Sequence, residues 1–121
     1  MPRLASIDDL KGLVMSQVEN RRNEELVFIT ESGRTFRFHH WQDCCESVSI
    51  EDIVGDLSDL VGSPIIEAEE VSSENEPPLS DNPESFTWTF YKFATRKGYV
   101  TVRWYGESNG YYSEGVNFEE V

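Results

Sequence analysis

The sequence predicts an α+β fold: an antiparallel β-sheet of about five or six strands built from hairpins, packed with one or two short helices. Three observations predict it. Apolar residues recur at helical spacing in two segments, alternating β-rich runs fill most of the remainder, and turn signals separate those runs.

The first helical segment follows Ser6, whose spacing to Asp9 is an N-cap signature. Ile7, Leu10, Leu13, Val14 and Val18 then recur at three- and four-residue intervals, predicting a helix over about 7–20. Glu25–Glu31 and Thr35–Trp41 flank Ser32-Gly33 and read as a hairpin. The second helix is expected over about 50–61, with Ser49 as cap, Gly62 as stop and Ile50, Ile53, Val54, Leu57, Leu60 and Val61 as its stripe. Gly55 would weaken it. Ile65–Val71 reads as a strand that frays into an acidic, Pro-containing loop at about 72–84.

Ser85–Phe93, Tyr99–Tyr105 and Tyr111–Phe118 read as three antiparallel strands turned at Lys97-Gly98 and Asn109-Gly110. Phe86, Trp88 and Phe90 are expected to share a buried face with Val100, Val102 and Trp104, leaving Tyr91, Tyr99, Arg103 and Tyr105 on the other. The domain reading is an N-terminal helical extension over 1–23 and a single α+β domain over 24–121.

Charge excludes more than it assigns. The chain of 121 residues carries a net charge of −13. From Phe38 to Tyr91 there is no Lys or Arg, while thirteen acids fall in that stretch; outside it ten acids balance ten bases. Such a field repels nucleic acid and anionic membranes and attracts basic surfaces. No direct nucleic-acid binding is expected. Nor is a membrane partner, because no apolar run approaches the roughly 20 residues of a bilayer span. The first eighteen residues lack a signal-peptide core, and the two cysteines, Cys44 and Cys45, are adjacent. Neighbouring Cα atoms lie about 3.8 Å apart, closer than the usual disulfide range, so the pair is expected not to bridge without strain. A cytoplasmic setting follows as an expectation.

The run Q-D-C-C-E-S-V-S-I-E-D-I-V-G-D-L-S-D-L-V-G-S-P-I-I-E-A-E-E, Gln42–Glu70, resembles a family of small uncharacterised proteins found mainly in bacteriophage and prophage genomes. The tail R-W-Y-G-E-S-N-G-Y-Y-S-E-G-V-N-F, Arg103–Phe118, is similar to the same family's C-terminal hairpin. The resemblance covers about residues 25–120, with the N-terminal helix as an addition, and implies a setting without a chemistry.

Three groups are candidate sites. Asp52, Asp56 and Asp59, at i, i+4 and i+7 of the expected helix, form with Glu69 and Glu70 an acidic surface for the basic face of a bacterial host protein. In the extreme they would imitate DNA charge; the bland alternative is a solubilising face. Tyr91, Tyr99, Arg103 and Tyr105 would anchor a partner or ligand, or pack beneath one of the protein's own helices. His40, Cys44 and Cys45 are the third group. His40 and Cys44 would supply two zinc ligands, or a His–Cys pair for thiol chemistry, but two further metal ligands would have to come from acids or another subunit. No catalytic residue and no cofactor is assigned. The expectation is a small acidic non-enzymatic binding protein that inhibits or redirects a host protein, with a metal-binding or Cys/His-dependent enzyme as the alternative.

Overall fold

β2 (Met15–Arg21) and β5 (Ser47–Val54) occupy the two segments whose spacing predicts helices, and this overturns the α+β expectation. Each strand carries a β-bulge, between Met15 and Gln17 in the first and between Ile50 and Asp52 in the second. A bulge sets two residues against one, so side chains on one face recur at an interval of three instead of two. Met15 with Val18, and Ile50 with Ile53, thus reach the core from strands while imitating a helix. What remains of helix is two single 3-10 turns, Ile7–Leu10 and Leu57–Leu60. The Ser6–Asp9 signal is locally correct, since the Ser6 amide donates to Asp9 Oδ2 at 3.0 Å. Gly12, at φ +84°, follows that turn and the chain continues as a strand.

The computed structural model describes residues 3–73 and 76–121, in which the chain is almost wholly β. Glu74, one of the central acids, and part of the loop expected over 72–84 lie outside the described residues. Two antiparallel sheets form. One has the order β1-β9-β4-β3-β2, built with β1 (Arg3–Leu4), β3 (Glu25–Thr30), β4 (Thr35–His39) and β9 (Asn117–Glu120). The other has the order β5-β8-β7-β6, built with β6 (Glu67–Ser73), β7 (Ser85–Thr95) and β8 (Gly98–Ser108). β2 is hydrogen-bonded along its length to β3, so the expected boundary at residue 24 runs through a hairpin.

The sheets pack face to face through aromatic rings. Phe38 lies 4.7 Å from Tyr91 and 5.8 Å from Phe93 between ring centroids, and Phe28 lies 5.0 Å from Phe93. Val100, Val102 and Trp104 complete the second sheet's inner face. Pairing of Thr95 with Gly98 across the β7–β8 turn sets Tyr91 opposite Val102, and Phe90 opposite Arg103. Paired residues share a face, so Phe86, Trp88 and Phe90 point outward with Arg103 while Tyr91 points inward. The expected β7 faces are therefore inverted: a turn one residue out exchanges every side chain.

The Asn109-Gly110 hairpin is likewise corrected. β9 leaves the second sheet altogether and pairs with β4 and β1 in the first. Gly55 is not a helix residue but lies just after β5 at φ +105°, where an added Cβ would sit 2.5 Å from the Tyr99 carbonyl oxygen. Gly55→Ala is expected to destabilise the fold by about 2–4 kcal/mol, combining left-handed strain with a backbone clash. Urea unfolding measures it; a loss under about 0.5 kcal/mol would show that the close approach is not real.

Candidate functional site

Two segments carry the chain between sheets, residues 40–46 from β4 to β5 and 109–116 from β8 to β9. They are the unusual Q-D-C-C-E and S-N-G-Y-Y-S-E-G strings, and they meet. His40 Nδ1 lies 2.8 Å from the Gly115 carbonyl oxygen, which can only accept, so this nitrogen donates. Its Nε2 lies 2.8 Å from Glu46 Oε2, with both side chains buried. Glu46 accepts further bonds from the Asp43 amide at 3.0 Å and the Cys44 amide at 2.8 Å. Burial opposes ionisation of Glu46, but the His40 bond and these amides outweigh it and hold the carboxyl at about 2. The cluster ties two crossovers together.

Both ring nitrogens of His40 are thus occupied by protein atoms, which does not suit the expected zinc or thiol role. Cys44 and Cys45 are exposed and joined to each other, with Cα atoms 3.7 Å apart, whereas a bridge was not expected without strain. Among the described residues, no group of three or more His, Cys, Asp or Glu side chains is arranged to hold a metal ion.

The outer face of the second sheet offers more. The Arg103 guanidinium stacks 4.9 Å from the Trp88 ring and 5.5 Å from that of Phe90, and approaches Asp52 at 3.9 Å. Tyr105 packs against Trp88 at 4.7 Å. The Pro-containing loop closes over this corner: Trp88 Nε1 donates to the Pro77 carbonyl at 3.0 Å, and the Leu79 amide donates to the Tyr105 hydroxyl at 3.1 Å. Burial, then a hydrogen bond to Glu107, push the Tyr105 hydroxyl upward. Beside the loop lies a cleft of about 440 Å³ lined by Glu51, Asp52, Glu76, Leu79, Trp88 and Arg103 among others. The β5 bulge matters here, because Glu51 and its neighbour Asp52 both line the cleft although consecutive strand residues ordinarily point oppositely. Toward the other end of the sheet Val54 and Tyr99 are 56% and 74% exposed, an apolar area open to solvent.

The residues singled out from sequence separate in space. Asp52, Arg103, Tyr105 and Tyr99 belong to this outer face. Asp56 caps the second 3-10 turn, where bonds from the Ser58 amide and hydroxyl hold its carboxyl below the usual range. The Asp59 carbonyl accepts a bond from the Thr95 hydroxyl, and its carboxylate lies beside Gly98. Glu69 and Glu70 are exposed on β6, the opposite edge from β5, with Glu69 paired to Lys92. Asp52, Asp56 and Asp59 therefore do not form one helix face, and the five acids are spread over β5, the second 3-10 turn and β6.

Tyr91 is fully buried in the core, its hydroxyl without a hydrogen-bond partner. Burial first, then the nearby Glu70 charge and a side-chain contact with Glu70 whose geometry is too poor to satisfy the hydroxyl, push its ionisation upward. Tyr91→Phe is expected to leave stability unchanged or raised by up to about 1 kcal/mol, since it deletes an unsatisfied buried group. A comparable loss in thermal unfolding would reveal a bond to that hydroxyl. Trp88 was legible only as core; its Arg103 stack depended on knowing the strand register.

Charge is segregated between the halves. The end segments, 1–39 and 117–121, hold eight acids and six bases, whereas residues 40–116 hold fifteen carboxylates against four cations, −11 of the −13. Within the first sheet, Arg3 and Arg34 pair with Glu120, Arg37 with Glu119 and Arg21 with Glu19. Among the described residues, the contact between an arginine or lysine and a central acid is Arg103–Asp52. Lys97 instead donates to the Val61 carbonyl at 2.6 Å and Arg96 to the Ser63 hydroxyl at 3.2 Å.

Fold and surface together define a two-sheet β-sandwich with one acidic, aromatic-bearing sheet. The family model described as "Domain of unknown function (DUF7448)" matches residues 6–118, and the chain belongs to that family. The match begins within the segment expected to be an addition, in keeping with the placement of β2 inside the first sheet. No curated protein and no solved structure matches the chain.

Proposed function

We propose that this protein is a non-enzymatic binding module that presents the acidic four-stranded sheet to a basic surface on another protein. The observation that carries the reading is the charge segregation: four of the six cations of the chain ends, Arg3, Arg21, Arg34 and Arg37, are engaged with carboxylates of the first sheet, so they do not cancel the excess on the second. A field of this kind accelerates encounter, while Tyr99, Val54 and the Arg103–Trp88 corner supply apolar anchor area. The resemblance of Gln42–Glu70 and Arg103–Phe118 to phage proteins supports reading the setting as a host cytoplasm and the partner as a host protein that the module inhibits or redirects. Among the described residues no helix is long and apolar enough to cross a membrane.

The test is kinetic. Association with a basic host protein captured from lysate is expected to slow about tenfold or more as salt rises from low to physiological levels. Asp52→Asn with Glu69→Gln and Glu70→Gln should flatten that dependence, and Asp56 is left intact because its carboxylate caps a turn. A salt-independent rate would overturn the reading.

A further inference from the structure

We infer that His39 is a proton-operated latch for Trp41, because one ring nitrogen serves two partners that exclude each other. Trp41 Nε1 lies 2.7 Å from His39 Nε2, and Glu119 Oε1 lies 3.0 Å from the same nitrogen. An indole N–H can only donate, and an ionised carboxylate can only accept. The nitrogen has one in-plane position, filled either by a lone pair or by a proton. With the lone pair it accepts from Trp41 and leaves Glu119 unbonded. With the proton it donates to Glu119 and has nothing to offer Trp41. The latch belongs to the first sheet and is independent of the acidic sheet and its partner.

The surroundings decide which state prevails. β4 carries Arg37 on the same face as His39, and β9 brings Glu119, only 2% exposed, whose Oε1 also accepts from Arg37 Nη2. β3 sets Glu25 opposite His39, and β2 sets Arg21 3.8 Å from Glu25. Burial first, then the Arg37 charge, push the His39 ring below its ordinary 6.5 and outweigh the opposing pull of Glu119 and Glu25. Near neutrality the ring is therefore uncharged, with its proton on Nδ1 and with Nε2 holding the indole. Acidification adds a second proton at Nε2. His39 then joins Arg37 on the Glu119 carboxylate in a charge-assisted bond, and the indole, on a residue already 60% exposed, is set free. The Trp41 amide stays bonded to Asn117 Oδ1 at 3.1 Å, so the change is a side-chain swing where the 40–46 crossover leaves β4.

The test follows the His39 ring resonances and the Trp41 indole N–H of the intact chain from about pH 8 to the ordinary carboxyl value of 4.5, above the range in which Glu46 and Glu120 titrate. The Trp41 indole is expected to shift with the same midpoint as His39, below 6.5. The indoles of Trp88 and Trp104, 3% and 1% exposed, report that the fold is intact throughout. Trp41→Phe removes the donor that favours the bare nitrogen and should raise the His39 midpoint. Glu119→Gln removes the charge that favours the proton and should lower it, carrying the release of Trp41 with it. His39→Gln can still accept from the indole but cannot titrate, and should abolish the Trp41 shift outright. If Glu119→Gln does not fold, the rise in Trp41→Phe and the loss in His39→Gln decide the matter. A Trp41 indole that stays fixed as pH falls, or that shifts unchanged in His39→Gln, would overturn the latch. So would a His39 midpoint that Trp41→Phe leaves in place or lowers.

Discussion

Phe38→Ala is expected to destabilise the protein by about 3–5 kcal/mol, the range for deleting a buried aromatic from a close-packed core. Phe38 is fully buried in β4 and touches rings from both sheets, with centroids 4.2 Å from Phe118, 4.7 Å from Tyr91, 5.7 Å from Phe28 and 5.8 Å from Phe93. Removing it takes away apolar burial and four aromatic pairings at once, and rings held by two hydrogen-bonded sheets cannot collapse far into the space. Phe38→Leu keeps most of the volume and should cost about 1–2 kcal/mol. Urea unfolding should show a lower midpoint with an unchanged slope. A Phe38→Ala loss below about 1.5 kcal/mol would mean that the two sheets do not meet at this residue.

The second large effect is on acid stability. Glu46 and Glu120 both titrate at about 2 against an ordinary carboxyl value of 4.5. For Glu46 the stabilising partners are His40 and the loop amides; for Glu120 they are Arg34, then Arg3. A depressed folded pKa stabilises the native state fully above the unfolded value, and that contribution vanishes as pH falls through the folded value. The protein should therefore lose stability progressively between about pH 4.5 and 2. Glu46→Gln should lower Tm markedly near neutrality, because His40 then faces an amide across a buried contact. The gap between wild type and variant should close as pH falls across the same window, since protonated Glu46 resembles Gln. A gap that stays constant from pH 7 to 2 would show that charge at Glu46 is not what ties the crossovers together.

That tie also explains how far the candidate site could be read from sequence. Q-D-C-C-E stood out as a dense group of ligand types, and chemistry was the natural expectation for His40, Cys44 and Cys45. The partner that decides the matter is the carbonyl of Gly115, seventy-five residues away, and a backbone atom leaves no signature in composition. Trp88 and Glu51 were passed over for a related reason. Their roles depend on which strand faces which, and on a bulge that reverses one position.

The sequence by itself determined the local events: the Ser32-Gly33 hairpin, the long β7–β8 pair, the Ser6–Asp9 turn and the confinement of excess negative charge to the middle of the chain. These need only neighbouring residues, whose turn preferences and charges act over a few bonds. Tertiary structure alone decided that Met15–Arg21 and Ser47–Val54 are strands, that β9 crosses to the other sheet, and that Tyr91 turns inward while Trp88 turns outward. An apolar interval of three fits both a helix and a bulged strand. Only the hydrogen bonds offered by a neighbouring strand, and the core that strand completes, choose between them.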